Sequence, residues 1–267
     1  MGSHVLYYNE IVPQSYAVII AASELEIDAE FRRTELICSE SNVNADATKL
    51  EKDSGSISGV ENVIRSLGAE FNDSKVHESL SLLESRLEEL TFAVCFAQER
   101  IAEKCRWPFH EENFRREFTR YIMRTHSDFR HWLEKYDHED LTECEVIKEI
   151  ESALDEVETE LSKEDRLGIW ICGLKYGVSD CRLSAVLTGL YQLGFEGLWQ
   201  EGSRPHLAMY ATQAFQRPSV QKATKWSENQ DKLTLFAQES DELRSARMAL
   251  YATVGLAGLY ILRKVFK

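Results

Sequence analysis

The chain has 267 residues, 43% of them hydrophobic and 28% charged, and carries a formal net charge of -14. That length and apolar content are enough for a sizeable core, in one large domain or two small ones. The acidic balance excludes general affinity for nucleic acid, because a phosphate backbone would be repelled and no basic groove is implied.

Residues 4–9, "HVLYYN", read as a strand, and a proline-containing turn, "EIVPQS", leads into an apolar helix over 15–27. A second strand, "AEFRRTEL", follows over 29–36, so the opening is a βαβ unit. A polar stretch then holds "KDSG", which suits a hairpin turn between short strands at Ala47–Leu50 and Ser56–Ser58. "GVENVIRSLGAEF", 59–71, reads as the helix that completes a ββα unit.

From Asp73 the texture becomes helical. Val76, Leu80, Leu83, Leu87, Leu90, Val94, Ala97 and Ile101 recur at spacings of three and four, a stripe suited to a core or to dimerisation. "WPF" at 107–109 breaks that helix, and a charge-rich helical segment runs over 110–136. Val146 or Ile147, then Ile150, Leu154, Val157 and Leu161, mark the next amphipathic helix. The segment 178–195 is apolar nearly all round and so is expected inside the others, with Ser179 and Asp180 available as caps. "RPHLAMYATQAFQ" and "PSVQKATKW" make shorter helices, and a charged linker over 227–247 follows.

Cys38, Cys95, Cys105, Cys144, Cys172 and Cys181 form no C-x-x-C pair, and no secretory signal precedes them, so they read as reduced thiols. "MGSHVL" fails as a myristoylation signal, since Leu6 stands where Ser or Thr is wanted. The seven histidines show no H-x-x-x-H or H-E-x-x-H spacing, so neither a metal site nor a cofactor is expected. Arg116, Arg120 and Arg124 repeat every four residues, with Arg115, Arg130, His126 and His131 close by. This stripe suits an acidic protein segment, an anionic lipid head group or a fatty-acid carboxylate. Glu112, Glu117 and Asp128 also make it a self-paired, solvated face, which is the commoner outcome.

Met248–Leu262 holds fifteen residues without a charge, flanked by Arg247 and by Arg263 and Lys264. At about 1.5 Å per residue it spans roughly 22 Å, short of a ~30 Å hydrocarbon core. Tyr251 and Tyr260 near its ends, and basic flanks that can snorkel, favour a membrane anchor for a thin bilayer over a core helix.

A βαβ-ββα unit followed by helices is α+β, and here the chain resembles the glutathione-transferase fold, in particular the ganglioside-induced differentiation-associated protein family. The residues that carry the resemblance are "LDEVETEL" (154–161), "WICG" (170–173), "YGVSDCRLSAVLTGLYQLGF" (176–195), "GSRPHLAMY" (202–210), Arg217 and the N-terminal "LYYNEIVPQSYAVIIAASELEIDAEF". Metaxin is the near relative, for which "SISGVENVIRSL" suits equally well. The resemblance implies a thioredoxin-like domain over 1–72, an all-helical domain over 73–226 and a tail anchor over 248–262. It further implies an outer-mitochondrial-membrane location with the body facing the cytosol, protein partners, and a role in mitochondrial fission, network shape and organelle contacts. A homodimer and a lipid ligand are compatible with it. A membrane-tethered glutathione-dependent enzyme and a metaxin-like import component are the alternatives. The family's insertion between its fourth and fifth helices is short and divergent here.

In the resembled enzymes a hydroxyl or thiol after the first strand favours the glutathione thiolate. The matching position is Val12, beside Pro13, with Tyr7, Tyr8 and Ser15 as the nearby hydroxyls. A proline, normally cis, precedes their third strand. This chain has none between Pro13 and Pro108. Their third helix opens on a pair that binds the γ-glutamyl carboxylate. Here the pair is Gly59-Val60, with Ser58 one residue earlier. The expectation is a retained fold without glutathione transfer, with Cys38 or Cys95 as the only thiols considered for unconventional chemistry. Gly177 stands where the fold's capping motif has Ser or Thr, so weaker capping beside Asp180 is expected.

Overall fold

Leu6 and Tyr8 are buried while Val5 and Tyr7 are partly exposed, the alternation of a strand with one face on a core. This strand, β1 (His4–Tyr8), continues through α1 (Gln14–Glu24) into β2 (Ala29–Arg33), which pairs with β1 in parallel. β3 (Lys49–Lys52) is antiparallel to β1, and β4 (Gly55–Ser58) antiparallel to β3, giving the order β2-β1-β3-β4. Register lines up Phe31, Leu6, Leu50 and Ile57 as one apolar row across the sheet, which is what fixes the pairing. The computed structural model describes residues 4–8, 14–33, 49–52, 55–58, 60–66, 77–97, 105, 115, 118, 119, 122, 123, 129–136, 144–164, 167–171, 173–200 and 202–228.

α2 (Val60–Ser66) buries Val63 and Ile64. α1 is buried at every position from Ser15 to Ala22 because it is packed between α2 and the helical lobe. That lobe consists of α3 (His77–Ala97), α4 (Phe129–Tyr136), α5 (Glu145–Leu161), α6 (Val178–Leu193), α7 (Gly197–Gln200), α8 (Pro205–Gln216) and α9 (Pro218–Glu228). Leu80, Leu83, Leu87, Leu90 and Val94 of the α3 stripe are buried, and α3 packs on α5 and α6. The stripe is therefore core. α6 is buried on nearly all its faces, as its apolar circumference requires. Its Gly189 admits α3 closely: a Cβ there would meet Leu87 Cδ2 at 2.7 Å.

The described residues up to Thr224 form one compact unit. Several boundaries differ from the sequence reading. α1 stops at Glu24 instead of 27, because Glu26 adopts φ 52° and Ile27 N–H donates back to the Ala22 carbonyl at 3.0 Å. β3 lies two residues later than expected, since its partner β4 begins at Gly55. Of the segment 59–71, α2 covers 60–66 and the rest lies outside the described residues, while α7, held by the buried Trp199, has no counterpart in the sequence reading. No helix among the described residues is long and apolar enough to cross a membrane. The run 248–262, with Arg247, Arg263 and Lys264, lies outside the described residues.

Charged contacts join the helices. Arg182 of α6 holds Glu84 of α3 through two hydrogen bonds of 2.7 Å. Glu89, almost fully buried on α3, accepts from the Tyr136 hydroxyl at 2.6 Å, from Lys135 at 3.2 Å and from Arg86 at 2.7 Å. Burial pushes the Glu89 carboxyl up, but Tyr136, Lys135 and Arg86 together outweigh it and hold the group below its ordinary value of 4.5. A depressed folded-state value means that this stabilisation is complete above the unfolded-chain value and is lost as pH falls through the folded one. Glu89→Gln is therefore expected to lower the urea midpoint at neutral pH. Below about pH 4.5 the gap to wild type should shrink; a gap constant across that window would contradict the assignment.

Candidate functional site

The glutathione positions read from sequence are only partly described. Val12, Pro13 and Gly59 lie outside the described residues, while Val60 opens α2. Ser58 ends β4, half-buried, and its carbonyl accepts a hydrogen bond from Asn62 Nδ2 at 3.2 Å. Of the nearby hydroxyls, Tyr8 and Ser15 are buried in the core, and Tyr7 hydrogen-bonds Arg32 on the neighbouring strand. Arg32 is itself clamped to Glu30 by two bonds of 2.9 Å.

Arg116, Arg120, Arg124 and His126 of the arginine stripe lie outside the described residues. Arg115 is half-buried, and Arg130 and His131 are exposed. Cys38 is also outside the described residues. Burial pushes the Cys95 thiol well above its ordinary value of 9.0, against a smaller opposing effect of Arg115. Such a thiol stays protonated near neutral pH and is a poor nucleophile. Cys105, Cys144 and Cys181 are buried, and Cys105 donates to the Leu193 carbonyl at 3.3 Å.

The described polar residues converge elsewhere, around Asp180 at the start of α6. Its carboxylate is fully buried and accepts from the Ile171 amide at 2.8 Å, the Gly177 amide at 2.8 Å and the Tyr210 hydroxyl at 3.1 Å. Gly177 is the N-cap and has no side chain to give, so Asp180, the third helical residue, supplies the half of the capping box that reaches back. The weaker cap expected from Gly177 is thus offset from within the helix. Tyr176 donates to Ser184 Oγ at 2.7 Å, and its ring and the Tyr210 ring meet Trp170 edge-on at 4.9 and 5.5 Å. Burial pushes both phenols well above the ordinary 10.0, so they act as neutral donors and not as bases.

Arg217 lies over the Tyr176 and Trp170 rings, 4.2 and 5.0 Å from their centroids. It also grips Glu24 of α1 at 2.9 and 2.5 Å, and Ser219 donates to the same carboxylate. The hydrogen bond and charge of Glu24 hold Arg217 firmly protonated. Further links between the sheet lobe and the helices run from Gln192 Nε2 to the Tyr16 hydroxyl, 3.4 Å, and from Lys222 over the Phe31 ring, 5.4 Å. Arg217, Trp170, Tyr176 and Tyr210 all stand in the quoted motifs, but their partner Glu24 is 193 residues from Arg217, and no local pattern signals it.

The remaining motif residues build the same lobe. Arg204 donates to Asp155 at 2.7 Å and to the Glu151 carbonyl at 3.1 Å. Glu158 of α5 accepts the His206 and Leu207 amides at the start of α8 at 3.1 and 2.7 Å, and contacts His206 Nδ1 at 2.7 Å. A carboxylate from one helix so caps another, satisfying amide groups that a helix leaves open. Among the described residues no group of three or more His, Cys, Asp or Glu side chains is placed to hold a metal ion.

The arrangement has clear counterparts among solved structures. A beta-etherase from Sphingobium sp. strain SYK-6 superposes with a TM-score of 0.56 over 83% of this chain and 98% of that one, at 14% identity. A glutathione S-transferase from Methylobacterium radiotolerans, in complex with glutathione sulfonate, does so with a TM-score of 0.53 over 83% and 94%, at 15% identity. The fold is that of a glutathione transferase. At such identities the likeness to these transferases extends to the fold alone. No family model matches the chain. Human ganglioside-induced differentiation-associated protein 1-like 1 is 29% identical over 94 residues, 32% of this chain and 26% of the relative, so the match spans about a quarter of that protein. The resemblance read from the motifs is supported by this match and by the transferase fold.

Because Asp180 satisfies two amides and a phenol at once, Asp180→Ala leaves the Ile171 and Gly177 amides without an acceptor and the Tyr210 hydroxyl with the residue-180 carbonyl alone. The expected loss is about 3–5 kcal/mol in denaturant titration. Arg217→Lys should cost less, about 1–2 kcal/mol, because an ammonium neither stacks on the two rings nor clamps Glu24 with two parallel donors.

Proposed function

We propose that this protein is anchored in the outer mitochondrial membrane by the apolar run 248–262, with its transferase-like body in the cytosol. In this reading the body acts by binding protein partners in mitochondrial fission, network shape and organelle contacts, and does not transfer glutathione. The observation that carries the reading is a division within the sequence. The residues on which the resemblance rests are engaged in holding the helical lobe together: Asp155, Glu158, Asp180, Arg204 and Tyr210 all have structural partners. The positions at which the fold would bind and activate glutathione carry Val12, Gly59 and Val60 and lack the proline. A valine offers no hydrogen bond to a thiolate, so the sulfur's ordinary acidity is unrelieved. The raised Cys95 thiol offers no substitute.

The location rests on the partial likeness to the human relative and on the length and flanks of the apolar run. Calorimetry on the full chain in detergent micelles is expected to give no heat with millimolar glutathione. In cells the full chain should stay in the mitochondrial pellet after alkaline carbonate washing, and a chain lacking 248–267 should appear in the cytosol. Saturable glutathione binding would overturn the non-catalytic reading; an unchanged distribution of the truncated chain would overturn the anchor.

A further inference from the structure

Leu167 and Leu174 are the most exposed large apolar side chains among the described residues, 71% and 74% accessible. They belong to one backbone feature between α5 and α6. Trp170 and Gly173 exchange hydrogen bonds, the Gly173 amide to the Trp170 carbonyl at 2.8 Å and the Trp170 amide to the Gly173 carbonyl at 3.3 Å. The two arms of this hairpin are pressed together. A Cβ on Gly168 would lie 2.6 Å from the Gly173 carbonyl oxygen and 3.2 Å from the Leu174 Cα. One on Gly173 would lie 3.0 Å from the Leu167 carbonyl oxygen. Both glycines also have positive φ, +97° and +88°, so the pinch requires glycine at each. Leu167 and Leu174 therefore stand side by side in the backbone, just outside the pinch.

The turn of the hairpin is as firmly held as its arms. Trp170 packs against Tyr176, Tyr210 and Arg217, and the Ile171 amide is bound by Asp180. The leucine pair is thus preorganised, and its exposure is not the result of a slack loop. Two leucines are too small an area for a stable protein interface, which buries about 1,200 Å² or more in total. They are of a size to enter the acyl boundary of a bilayer, and the exposed Lys175 next to Leu174 can keep its ammonium among the head groups while its stem lies along apolar surface.

Resting on the anchor reading above, we infer that the Leu167–Leu174 pair is a second, peripheral contact with the membrane that carries the apolar run 248–262. Residues 229–247 are nineteen in number and can extend to at most about 65 Å, which keeps a tethered body near the bilayer surface. At that effective concentration a contact too weak to recruit a free protein still orients a tethered one.

The test uses the full chain reconstituted in liposomes of phosphatidylcholine and phosphatidylethanolamine that contain a phosphatidylcholine with a diazirine in its acyl chain. After irradiation and trypsin digestion, adducts are mapped by mass spectrometry; Arg166, Lys175, Arg247 and Arg263 are cleavage sites that isolate Leu167–Lys175 and Met248–Arg263. Labelling of both peptides is the expected result. The double variant Leu167→Glu/Leu174→Glu, with an unchanged urea midpoint, should reduce labelling of the first by about tenfold or more and leave the second unchanged. Label on Met248–Arg263 alone overturns the leucine contact and leaves the anchor standing. Label on Leu167–Lys175 alone overturns the anchor and with it the account of the pair as a weak contact that depends on tethering, and label on neither overturns both.

Discussion

A carboxylate with no solvent access is tolerated only when its neighbours replace the water it has lost, because removing such a charge from water costs several kcal/mol. Asp180 is in that position, and the residues that compensate it come from three stretches of chain: Ile171 in the hairpin, Gly177 at the head of α6 and Tyr210 in α8. Its requirement fixes where the hairpin sits, how α6 begins and how α8 lies across them. The aromatic group beside it then provides the surface on which Arg217 rests, and Arg217 reaches Glu24 at the end of α1. A single buried charge in this way organises the junction between the helices and the sheet lobe. α6, inserted among other helices on nearly every face, is held at its head by the same group.

This explains why resemblance to other proteins is concentrated where it is. Glu158 with the amides of α8 and Asp180 with its donors are geometrically exacting, since loss of the carboxylate leaves buried or half-buried amides unpaired, and Arg204 is held by Asp155 and the Glu151 carbonyl together. Substitution there is penalised whatever the protein does. The positions at which the resembled enzymes bind glutathione serve a ligand, so a change there is not penalised through these pairs. A fold can therefore be retained whether or not its ligand site is, because the two depend on separate sets of residues.

The same separation governs what could be read in advance. The α3 and α5 helices follow from three-and-four periodicity over long windows, α6 from a long apolar run with caps at its head, and the β3–β4 hairpin from "KDSG", because these are local properties of the chain. The end of α1 was misplaced because Leu25 and Ile27 continue the apolar pattern while Glu26, in a left-handed conformation, breaks the helix. α7 is a single turn, too short for any period to register, and is held by tertiary burial of Trp199. Asp180 was legible as a cap but not as the acceptor for Ile171 and Tyr210. The Glu24–Arg217 and Tyr16–Gln192 pairs bridge 193 and 176 residues and have no signature in sequence. Of the positions singled out for glutathione and for the arginine stripe, Val12, Pro13, Gly59, Arg116, Arg120 and Arg124 lie outside the described residues.

In the anchored reading proposed above, net charge sets a further condition on how such a body would meet a bilayer. At -14 the chain is repelled, overall, by anionic head groups, with a range of about 8 Å at physiological ionic strength. An electrostatic contact would need a basic patch strong enough to reverse that repulsion locally, whereas several described arginines are already committed: Arg32 to Glu30, Arg86 to Glu89, Arg182 to Glu84, Arg204 to Asp155 and Arg217 to Glu24. An apolar contact is free of this difficulty, because its driving force does not depend on the sign of the surface. The hairpin between α5 and α6 would supply one at little structural expense, since its turn is already immobilised by the Asp180 group. The constraint that holds the helical lobe together thereby also fixes the two leucines at its surface.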